Sequence, residues 1–420
     1  MDFLRVEGGR PLVGSVTLDG AKNSILPLLC ASVLCDGRSV FTNVPNLSDV
    51  RLACDVLGSL GVSAELLDAN ITVRNDGIDS AEIPRELMSG MRGTFMFLGS
   101  ILSRKGRAVV YNPGGCKLGL RPVDIHLDAL RALGANFRFD GDRLSAELPN
   151  GRFCGGEVSL RFPSVGATEN SIFAAVLAEG TTRISGAACE PEISDVASFL
   201  NECGARISGA GESVIEIEGV RELLGGRHAV IPDRIAAATL LCATAVSRGD
   251  VTIDGAREHD VRAVVDTLRA CGAHIVSSNA SLRIQVEERL SGCGRVSCEP
   301  FPGFSTDAGP LLAAAMCFAR GESEIYDSVF ENRFSCADAL RSLGADSRAV
   351  GRSIIIGGSA TISGGRATAG DLRGAAALVC VALGCEGVSV IEGIEHLDRG
   401  YAALEKTLRS LGASIWRYSD

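Results

Sequence analysis

The most unusual segment of the sequence is a glycine-rich stretch, 112–122, that carries a thiol beside two cationic residues. Its order is Asn-Pro-Gly-Gly-Cys-Lys-Leu-Gly-Leu-Arg-Pro, so Cys116 directly precedes Lys117 and stands five residues before Arg121. Nearby positive charge lowers the pKa of a thiol and so increases its reactivity. Because glycine-rich loops often carry function, we predict a reactive cysteine here. The alternative is a cysteine that is merely exposed.

A second set of candidate residues stands at the start of six strongly apolar, helix-like runs. A helix N-terminus attracts anions and disfavours cations, because its free N–H groups carry a partial positive charge. Several cations there therefore favour a phosphate-type ligand. The alternative is that the Asp, Ser and Asn residues at these starts are N-caps and the arginines are solvated. The residues that share this position are Lys22, Arg92, Val165, Arg234, Asp307 and Arg373.

Further charged residues stand in the loops that precede the second, amphipathic helices. Arg121 stands near Asp124, Glu331 near Arg333, and Asp398 beside Arg399.

The elements that must position these residues follow from two sets of recurring glycines. Both sets return at intervals of 66 to 74 residues. Two independent markers that keep step six times indicate six tandem copies of one α/β unit, each about 70 residues long. The first set is Gly37, Gly106, Gly180, Gly249, Gly321 and Gly387; the second is Gly61, Gly134, Gly204, Gly272, Gly344 and Gly412.

Each unit has the same predicted order of elements. An apolar helix ends at the first glycine, the residue favoured at helix C-termini, and a short strand such as 251–253 follows. An amphipathic helix such as 261–269 ends at the second glycine, and alternating strands such as 213–218 complete the unit. The first helix is apolar on nearly all sides and should be buried, whereas the second should lie outside. Six units exceed one core, so we predict two domains of three units that meet near Pro232.

Composition and charge exclude several classes of protein. The net charge of −10 argues against a nucleic-acid partner, which would require a basic face. The first residues lack a signal-peptide pattern, and no apolar run reaches the ~18 residues of a membrane span. The fifteen cysteines include no Cys-x-x-Cys pair, and several lie inside apolar runs. We therefore expect reduced thiols, a cytoplasmic protein, and no structural metal site.

With these residues in view, the sequence resembles the enolpyruvyl transferases over essentially its full length. The nearest likeness is to members that act on UDP-N-acetylglucosamine. Nine stretches match in order and at the repeat spacing. They are Gly-Ala-Lys-Asn at 20–23 with Leu-Pro at 26–27, Pro-Gly-Gly-Cys at 113–116 with Arg-Pro-Val-Asp at 121–124, and the segments 164–168, 190–193, 232–234, 304–307, 330–334, 371–373 and 396–401.

The resemblance implies an α/β fold of two domains, each an inverse α/β barrel of three units with the apolar helices inside the sheets. The first domain would be 22–229, and the second 1–21 with 230–420. The active site would lie in the cleft between them, with Lys22 and Pro232 at the hinge.

The resemblance also implies an activity. The enolpyruvyl group of phosphoenolpyruvate would move to the 3′-hydroxyl of UDP-N-acetylglucosamine with release of phosphate, the first committed step of peptidoglycan synthesis. Cys116 would protonate C3 of phosphoenolpyruvate, and Asp307 would act as base toward the sugar hydroxyl. Lys22 and Arg399 would complete the catalytic set, without metal or organic cofactor. A reactive Cys116 also predicts covalent inactivation by the epoxide fosfomycin.

The binding residues implied by the resemblance form two overlapping sets. For phosphoenolpyruvate they are Lys22, Asn23, Arg92, Arg121, Arg333, Arg373 and Arg399. For UDP-N-acetylglucosamine they are Arg92, Arg121, Pro122, Val123, Asp124, Ile125, Ser164, Val165, Gly166, Asp307 and Val329.

Two departures and two alternatives accompany the resemblance. Phe162 stands where some relatives carry a lysine for the nucleotide phosphate, and Lys117 and Leu120 replace small residues common in the loop. One alternative is a 5-enolpyruvylshikimate-3-phosphate synthase, which usually begins Gly-Ser-Lys-Ser and lacks the cysteine loop. The other is a non-catalytic nucleotide-sugar-binding paralogue, which the full set of charged residues disfavours.

Overall fold

The computed structural model describes residues 2–112 and 123–419, and the contacts within it divide them into two units. The N-terminal unit contains residues 20–112 and 123–231. The C-terminal unit contains residues 2–19 and 232–419. The chain therefore passes between units after Asp19 and after Ile231. The sequence had suggested 22–229 against the remainder.

Thirteen α-helices and two short 3₁₀ helices occur in the described residues, and the 3₁₀ helices are Arg92–Met96 and Ile394–Arg399. The α-helices are α1 (Lys22–Ser32), α2 (Ser48–Ser59), α3 (Arg85–Gly90), α4 (Phe97–Lys105), α5 (Asp124–Ala132), α6 (Val165–Ala175), α7 (Pro191–Glu202), α8 (Arg234–Ser247), α9 (Glu258–Ala270), α10 (Gly309–Met316), α11 (Ala337–Ser342), α12 (Leu372–Gly384) and α13 (Leu404–Ser410).

Twenty-four strands accompany them within the same ranges. In the first part of the chain they are β1 (Asp2–Glu7), β2 (Val13–Thr17), β3 (Cys35–Thr42), β4 (Ser63–Leu67), β5 (Asn70–Asn75), β6 (Arg107–Tyr111), β7 (Asn136–Asp140), β8 (Arg143–Glu147), β9 (Glu157–Ser159), β10 (Thr181–Ser185), β11 (Arg206–Ser208), β12 (Val214–Glu218), β13 (Leu223–Leu224) and β14 (Arg227–Ala229). The others are β15 (Asp250–Asp254), β16 (His274–Ser278), β17 (Ser281–Gln285), β18 (Gly294–Cys298), β19 (Glu322–Asp327), β20 (Asp346–Val350), β21 (Ser353–Gly357), β22 (Arg366–Thr368), β23 (Val388–Glu392) and β24 (Ser414–Ser419).

The strands form six small sheets in the described residues, three in each unit, so the repeat is visible in the topology. In the C-terminal unit the orders are β22-β23-β1-β24, β16-β17-β15-β2 and β18-β19-β21-β20. In the N-terminal unit they are β11-β12-β10-β9, β6-β8-β7, and β13-β3-β5-β4 with β14 also paired to β3. Most sheets combine three antiparallel strands with one parallel strand supplied by a preceding segment, for example β9 beside β10.

The first helix of each unit lies in the core, as the sequence predicted. All eight residues of α10 are buried, and α8 and α12 are buried along most of their length. These three helices pack against one another inside the C-terminal unit, surrounded by the apolar faces of its strands. By contrast, α9 buries only one face, formed by Val261, Val264, Val265 and Leu268.

The prediction for the second set of glycines is confirmed at all six positions. Each amphipathic helix ends two residues before its glycine, which has a φ between +88° and +108°. The following amide donates to the carbonyl five residues earlier at 2.9–3.3 Å, for example from Val62 to Leu57 and from Ala413 to Leu408. This is the Schellman closure, which requires a conformation that glycine adopts most easily.

The prediction for the first set was wrong at five positions. Gly106 is the left-handed C-cap of α4, with φ +66°. However, α1, α6 and α10 end five residues before Gly37, Gly180 and Gly321. In α1 a short turn follows instead, in which the amide of Leu34 donates to the carbonyl of Ala31 at 2.9 Å. The three glycines have φ of +85° to +94°; Gly180 and Gly321 directly precede the next strand, and Gly37 is the third residue of β3.

No helix within residues 2–112 and 123–419 combines the length and apolar character needed to cross a bilayer.

We expect Gly134→Ala to lower the free energy of unfolding by about 1–2 kcal/mol, because alanine at φ +105° is strained. The added methyl group would meet nothing within 4 Å, so the strain is isolated from steric clash. Gly58→Ala is the matched control in the same unit. Gly58 lies in exposed, regular helix with equal space, so alanine should stabilise by about 0.5–1 kcal/mol. Urea denaturation of both variants measures the difference, and equal effects would contradict the interpretation.

Candidate functional site

The C-terminal unit brings three predicted site residues into one ion-paired cluster. Asp307 lies two residues before α10, Arg373 is the second residue of α12, and Arg333 lies in the loop after β19. Nη2 of Arg333 donates to Oδ1 of Asp307 at 3.0 Å, and Nη2 of Arg373 donates to Oδ2 at 2.9 Å. The arginine side chains are only 2% and 6% exposed, so the two guanidinium groups hold one carboxylate in a largely dry environment.

Asp327, at the end of β19, organises the loop that carries Arg333. Its Oδ1 accepts hydrogen bonds from the amides of Val329 and Phe330, at 2.8 and 2.6 Å, and its Oδ2 accepts from the hydroxyl of Thr306. Nε of Arg333 in turn donates to the Thr306 hydroxyl at 2.9 Å. Val329, a predicted nucleotide-sugar contact, is therefore held in the same local network. Asp327 was missed in the sequence because its importance depends on backbone amides, which side-chain types do not reveal.

Tyr401 forms the other wall of the cluster. Its hydroxyl accepts from Nη1 of Arg373 at 3.3 Å and shares a 2.8 Å hydrogen bond with the hydroxyl of Thr239 on α8. Tyr401, which is itself held by Thr239 of α8, thus orients the Arg373 side chain.

The electrostatics of the cluster keep Asp307 ionised. Burial alone would raise the pKa of Asp307, but the charges of Arg373 and Arg333, with a smaller contribution from Arg234, hold it well below its ordinary value. Burial alone would lower the pKa of Arg373, but the negative charge of Asp307 has the larger effect and raises it. The arrangement can bind anions through its arginines, and it presents a carboxylate as a hydrogen-bond acceptor.

Some polar residues at the helix starts are N-caps, as the alternative interpretation had it. Asp233 and Asp371 accept hydrogen bonds from backbone amides in the first turns of α8 and α12, at 2.7–3.0 Å. Ser164 accepts from the amide of Ala167 at 3.4 Å. The cations are a separate group: Arg234 directly follows Asp233, and Arg373 stands two residues after Asp371. The two interpretations therefore apply to different side chains of the same helix starts.

In the N-terminal unit, Lys22 is the first residue of α1 and pairs with a carboxylate. Its Nζ lies 2.6 Å from Oδ2 of Asp49, in the first turn of α2, and both side chains are largely buried. Asn23 follows on α1 and is partly buried. Asp49 was not identified from the sequence; its place at the start of an amphipathic helix is typical of an ordinary N-terminal acidic residue.

The predicted nucleotide-sugar residues of this unit surround a histidine that the sequence reasoning missed. His126 lies on α5, directly after Asp124 and Ile125, and Val123 is the N-cap residue of that helix. A methyl group on Gly166 would lie 2.9 Å from Cε1 of His126, so only glycine lets α6 approach the ring this closely. Phe95 contacts the ring edge-on, at 5.3 Å between centroids. Its position directly after the predicted nucleotide-sugar residues 121–125 could have identified His126 from the sequence.

The tautomer of His126 follows from Asn170 on α6. Oδ1 of Asn170 accepts from the amide of Gly99 at 2.8 Å, so its amide nitrogen is the donor to Nδ1 of His126 at 2.9 Å. The proton of neutral His126 is therefore on Nε2. Burial lowers the pKa of His126 to about 4, and the charge of Arg92 adds to this while Asp124 opposes it. The ring is uncharged at neutral pH.

The remaining described site residues lie at or near the ends of helices. Arg92 is the first residue of its 3₁₀ helix, and Val165 is the first residue of α6. Asp124 pairs with Arg161. Arg399 is the last residue of the 3₁₀ helix Ile394–Arg399, and its neighbour Asp398 accepts two hydrogen bonds from Arg417 at 2.9 and 2.6 Å. Phe162, the departure noted above, is exposed.

Cys116, Arg121 and Pro122 lie outside the described residues, as does Lys117. Among the residues that are described, no group of three or more His, Cys, Asp or Glu side chains is placed to hold a metal ion together. The fourteen cysteines of this part of the chain are free thiols.

The chain is similar to known proteins along most of its length. The family model of EPSP synthase (3-phosphoshikimate 1-carboxyvinyltransferase) matches residues 6–408. The chain is 43% identical over 438 residues to a UDP-N-acetylglucosamine 1-carboxyvinyltransferase of Azorhizobium caulinodans, covering 100% of both chains. It is 40% identical over 417 residues to UDP-N-acetylglucosamine 1-carboxyvinyltransferase 2 of Caldanaerobacter subterraneus subsp. tengcongensis, covering 99% of this chain and 100% of that one.

Solved structures share the fold. The enolpyruvyl transferase NikO from Streptomyces tendae matches with a TM-score of 0.89 at 23% identity, over 100% of this chain and 99% of that one. EPSP synthase from Acinetobacter baumannii matches with a TM-score of 0.76 at 20% identity, over 100% of both chains. The predicted α/β fold class of the enolpyruvyl transferases is thereby confirmed.

We expect Asp307→Asn to lower the free energy of unfolding by about 3 kcal/mol at neutral pH, because two buried arginines lose their anion. The folded-state pKa of Asp307 is lowered, so its stabilising contribution is present above the unfolded pKa of about 3.9 and is lost as the pH falls below it. The difference between wild type and variant should therefore be constant above about pH 5 and shrink below about pH 4. Denaturant titrations across this range measure it.

Asp338→Asn is the control, since Asp338 pairs with Arg341 on the surface, where its side chain is 87% exposed. That variant should change stability by less than about 0.5 kcal/mol. A loss as small in Asp307→Asn would contradict the buried ion-pair cluster.

A second prediction concerns the charge of His126. In a pH titration of the histidine ring nitrogens by NMR, His126 should stay neutral, with the proton on Nε2, down to about pH 5 and titrate near the pKa of about 4. The resonance is assigned by its disappearance in His126→Gln. Titration above pH 6 would contradict the contacts described for Asn170 and Arg92.

Proposed function

Because the chain belongs to the EPSP synthase (3-phosphoshikimate 1-carboxyvinyltransferase) family, we propose that it transfers the enolpyruvyl group of phosphoenolpyruvate to the 3′-hydroxyl of UDP-N-acetylglucosamine. The observation that carries the choice of acceptor is the identity of 40–43% with full-length relatives named for that sugar nucleotide. The reaction releases phosphate and would be the first committed step of peptidoglycan synthesis, in the cytoplasm.

The chemistry proceeds by addition and elimination. C3 of phosphoenolpyruvate takes a proton while the sugar oxygen forms a bond to C2 and gives up its own proton. The tetrahedral adduct then loses phosphate from C2 and a proton from C3, which restores the double bond on the transferred group. The protein must therefore supply an acid, a base, and positive charge for a phosphate and a carboxylate.

Positive charge is supplied by residues at the helix starts and loops. We assign the phosphate of phosphoenolpyruvate to Lys22, Arg121 and Arg399, with Asn23 as a neutral donor. Its carboxylate is assigned to Arg333 and Arg373 with Arg92. The low exposure of Arg333 and Arg373 supports this assignment, because guanidinium groups in a dry site interact with an anion more strongly than in water.

Asp307 is proposed as the base toward the 3′-hydroxyl, and its ion pairs bear on how it would act. With both arginines on its oxygens, its lowered pKa makes it a weak base. A substrate carboxylate that takes hydrogen bonds from the same arginines would withdraw part of their charge from Asp307. The basicity of Asp307 would then rise when phosphoenolpyruvate is bound, which is when a base is required.

The nucleotide sugar is assigned to the 121–125 stretch, to Arg92, to 164–166 on the start of α6, and to Asp307 and Val329. The start of α6 supports this assignment for residues 164–166, because the first amides of a helix have no acceptor within the helix and suit a diphosphate. Cys116 is proposed as the acid that protonates C3, on the basis of its cationic sequence neighbours.

The direct test is phosphate release from phosphoenolpyruvate with each of two acceptors. Release with UDP-N-acetylglucosamine, and a product whose mass increases by the enolpyruvyl group, are expected. Release with shikimate 3-phosphate alone would favour the synthase alternative, and binding of UDP-N-acetylglucosamine in calorimetry without turnover would favour a non-catalytic paralogue.

We expect fosfomycin to inactivate the wild-type enzyme by forming a covalent adduct at Cys116, because a thiolate opens an epoxide readily. Cys116→Asp should keep activity, since a carboxylic acid can also donate a proton, and should resist the drug. Mass spectrometry of the treated protein locates the adduct. Cys154→Ser is the control, because Cys154 is an exposed cysteine and its loss should leave inactivation unchanged. An adduct elsewhere, or none, would remove the assignment of Cys116.

A further inference from the structure

A buried hydrogen-bond network in the N-terminal unit lies next to Lys22 but has no part in the proposed chemistry. The hydroxyl of Ser24, on the first turn of α1, donates to Oδ2 of Asp195 on α7. The other oxygen of Asp195 lies 2.8 Å from Nε2 of His228, on β14. Ser24, Asp195 and His228 are 0%, 5% and 8% exposed. One carboxylate thus links three elements that are far apart in sequence.

The groups that face His228 favour its charged form. Nδ1 lies 3.4 Å from Oε2 of Glu202, and the ring of Phe199 contacts the imidazole at 5.8 Å between centroids. Burial alone would lower the pKa of His228, but the hydrogen bonds and charges of Asp195 and Glu202 have the larger effect and raise it. The thiol of Cys203 is also close enough to interact electrostatically with the ring. Asp195 therefore accepts, on one oxygen, a hydrogen bond from a ring whose charged form its neighbours favour, and charge on the donor strengthens such a hydrogen bond.

The network holds the start of α1, which has no side-chain cap in the part of the chain that the structure describes. Ala21 is the N-cap residue and makes no side-chain cap hydrogen bond. Its amide instead donates at 2.7 Å to the carbonyl of Ile231, three residues after His228. The segment that follows β14 and the Asp195 carboxylate thus hold the first turn from two sides. Lys22 and Asn23 lie between these two points of attachment.

We propose that Ser24, Asp195 and His228 are positioning residues that fix the first turn of α1, and with it Lys22 and Asn23, for binding of phosphoenolpyruvate. The inference rests on the proposed function for its substrate. A serine that served only the core would satisfy its hydroxyl on its own helix, as Ser32 does at the other end of α1 with the carbonyl of Leu29. Ser24 instead reaches a carboxylate on another helix, and its neighbours are the two proposed substrate ligands.

The test compares Ser24→Ala, His228→Leu and His228→Gln with Ser32→Ala as the matched control, a buried serine of the same helix. We expect the KM for phosphoenolpyruvate to rise about tenfold in Ser24→Ala and His228→Leu, because each removes a hydrogen bond to a carboxylate. The KM for UDP-N-acetylglucosamine should change less than about twofold. His228→Gln should recover most of the effect, since its amide can donate near the position of Nε2. Ser32→Ala should match the wild type.

Amide hydrogen exchange gives a readout that needs no substrate. Exchange of the peptide that contains residues 21–25 should be faster in Ser24→Ala and His228→Leu than in the wild type, while peptides from the end of α1 should be unchanged. If either variant does not fold, the other decides.

Different results would overturn the proposed function and the positioning network. A wild-type enzyme without turnover on these substrates would overturn the proposed function. An active enzyme whose KM for phosphoenolpyruvate and exchange at 21–25 are unchanged in both variants would overturn the positioning network alone. Equal increases in both KM values with a general loss of protection would show a merely structural role and would also overturn it.

Discussion

A helix that is buried along its length can present polar side chains to a ligand only near its ends, and this constraint limits where substrate chemistry can occur in the chain. In α8 and α12 nearly every residue after the first is buried. The backbone amides of the first turn still need acceptors, and Asp233 and Asp371 supply them. These cap carboxylates also offset the unfavourable field that the helix dipole exerts on Arg234 and Arg373. A cation at a buried helix start is thus made possible by the residue that precedes it.

The cluster of Asp307 with Arg333 and Arg373 is costly for a structure that needs only stability. Removing charges from water costs several kcal/mol per ion, and apolar substitutes for buried ion pairs are often neutral or stabilising. Here the cost is offset by the hydrogen bonds that Arg333 donates to Thr306 and that Arg373 donates to Tyr401. The geometry holds both arginines in fixed orientations toward one carboxylate, and such preorganised charge favours recognition of an anion more than it favours folding.

The sequence predicted the repeat, the buried and outer helices, and the six glycines that close the outer helices, because each depends on local periodicity or on one backbone conformation. It also predicted that Lys22, Arg92 and Arg234 begin buried runs. It was wrong about where most buried helices end, since a glycine marks a required φ but not the turn that precedes it. It missed Asp49, Asp327 and His126, whose importance comes from partners on other elements, and spacing along one element does not identify them.

The two histidines of the N-terminal unit, His126 and His228, illustrate why partners matter more than residue type. His126 faces the charge of Arg92 and a donor amide on Asn170, so it stays neutral. His228 faces the carboxylates of Asp195 and Glu202, which favour its charge. The pKa values of the two rings are shifted in opposite directions because their neighbours carry opposite charges. A charged His126 would repel Arg92 and leave Asn170 donating toward another donor, whereas a neutral His228 would leave Asp195 with a weaker hydrogen bond in a buried site. The folding of distant segments onto one another therefore sets the direction in which the pKa of each histidine is shifted.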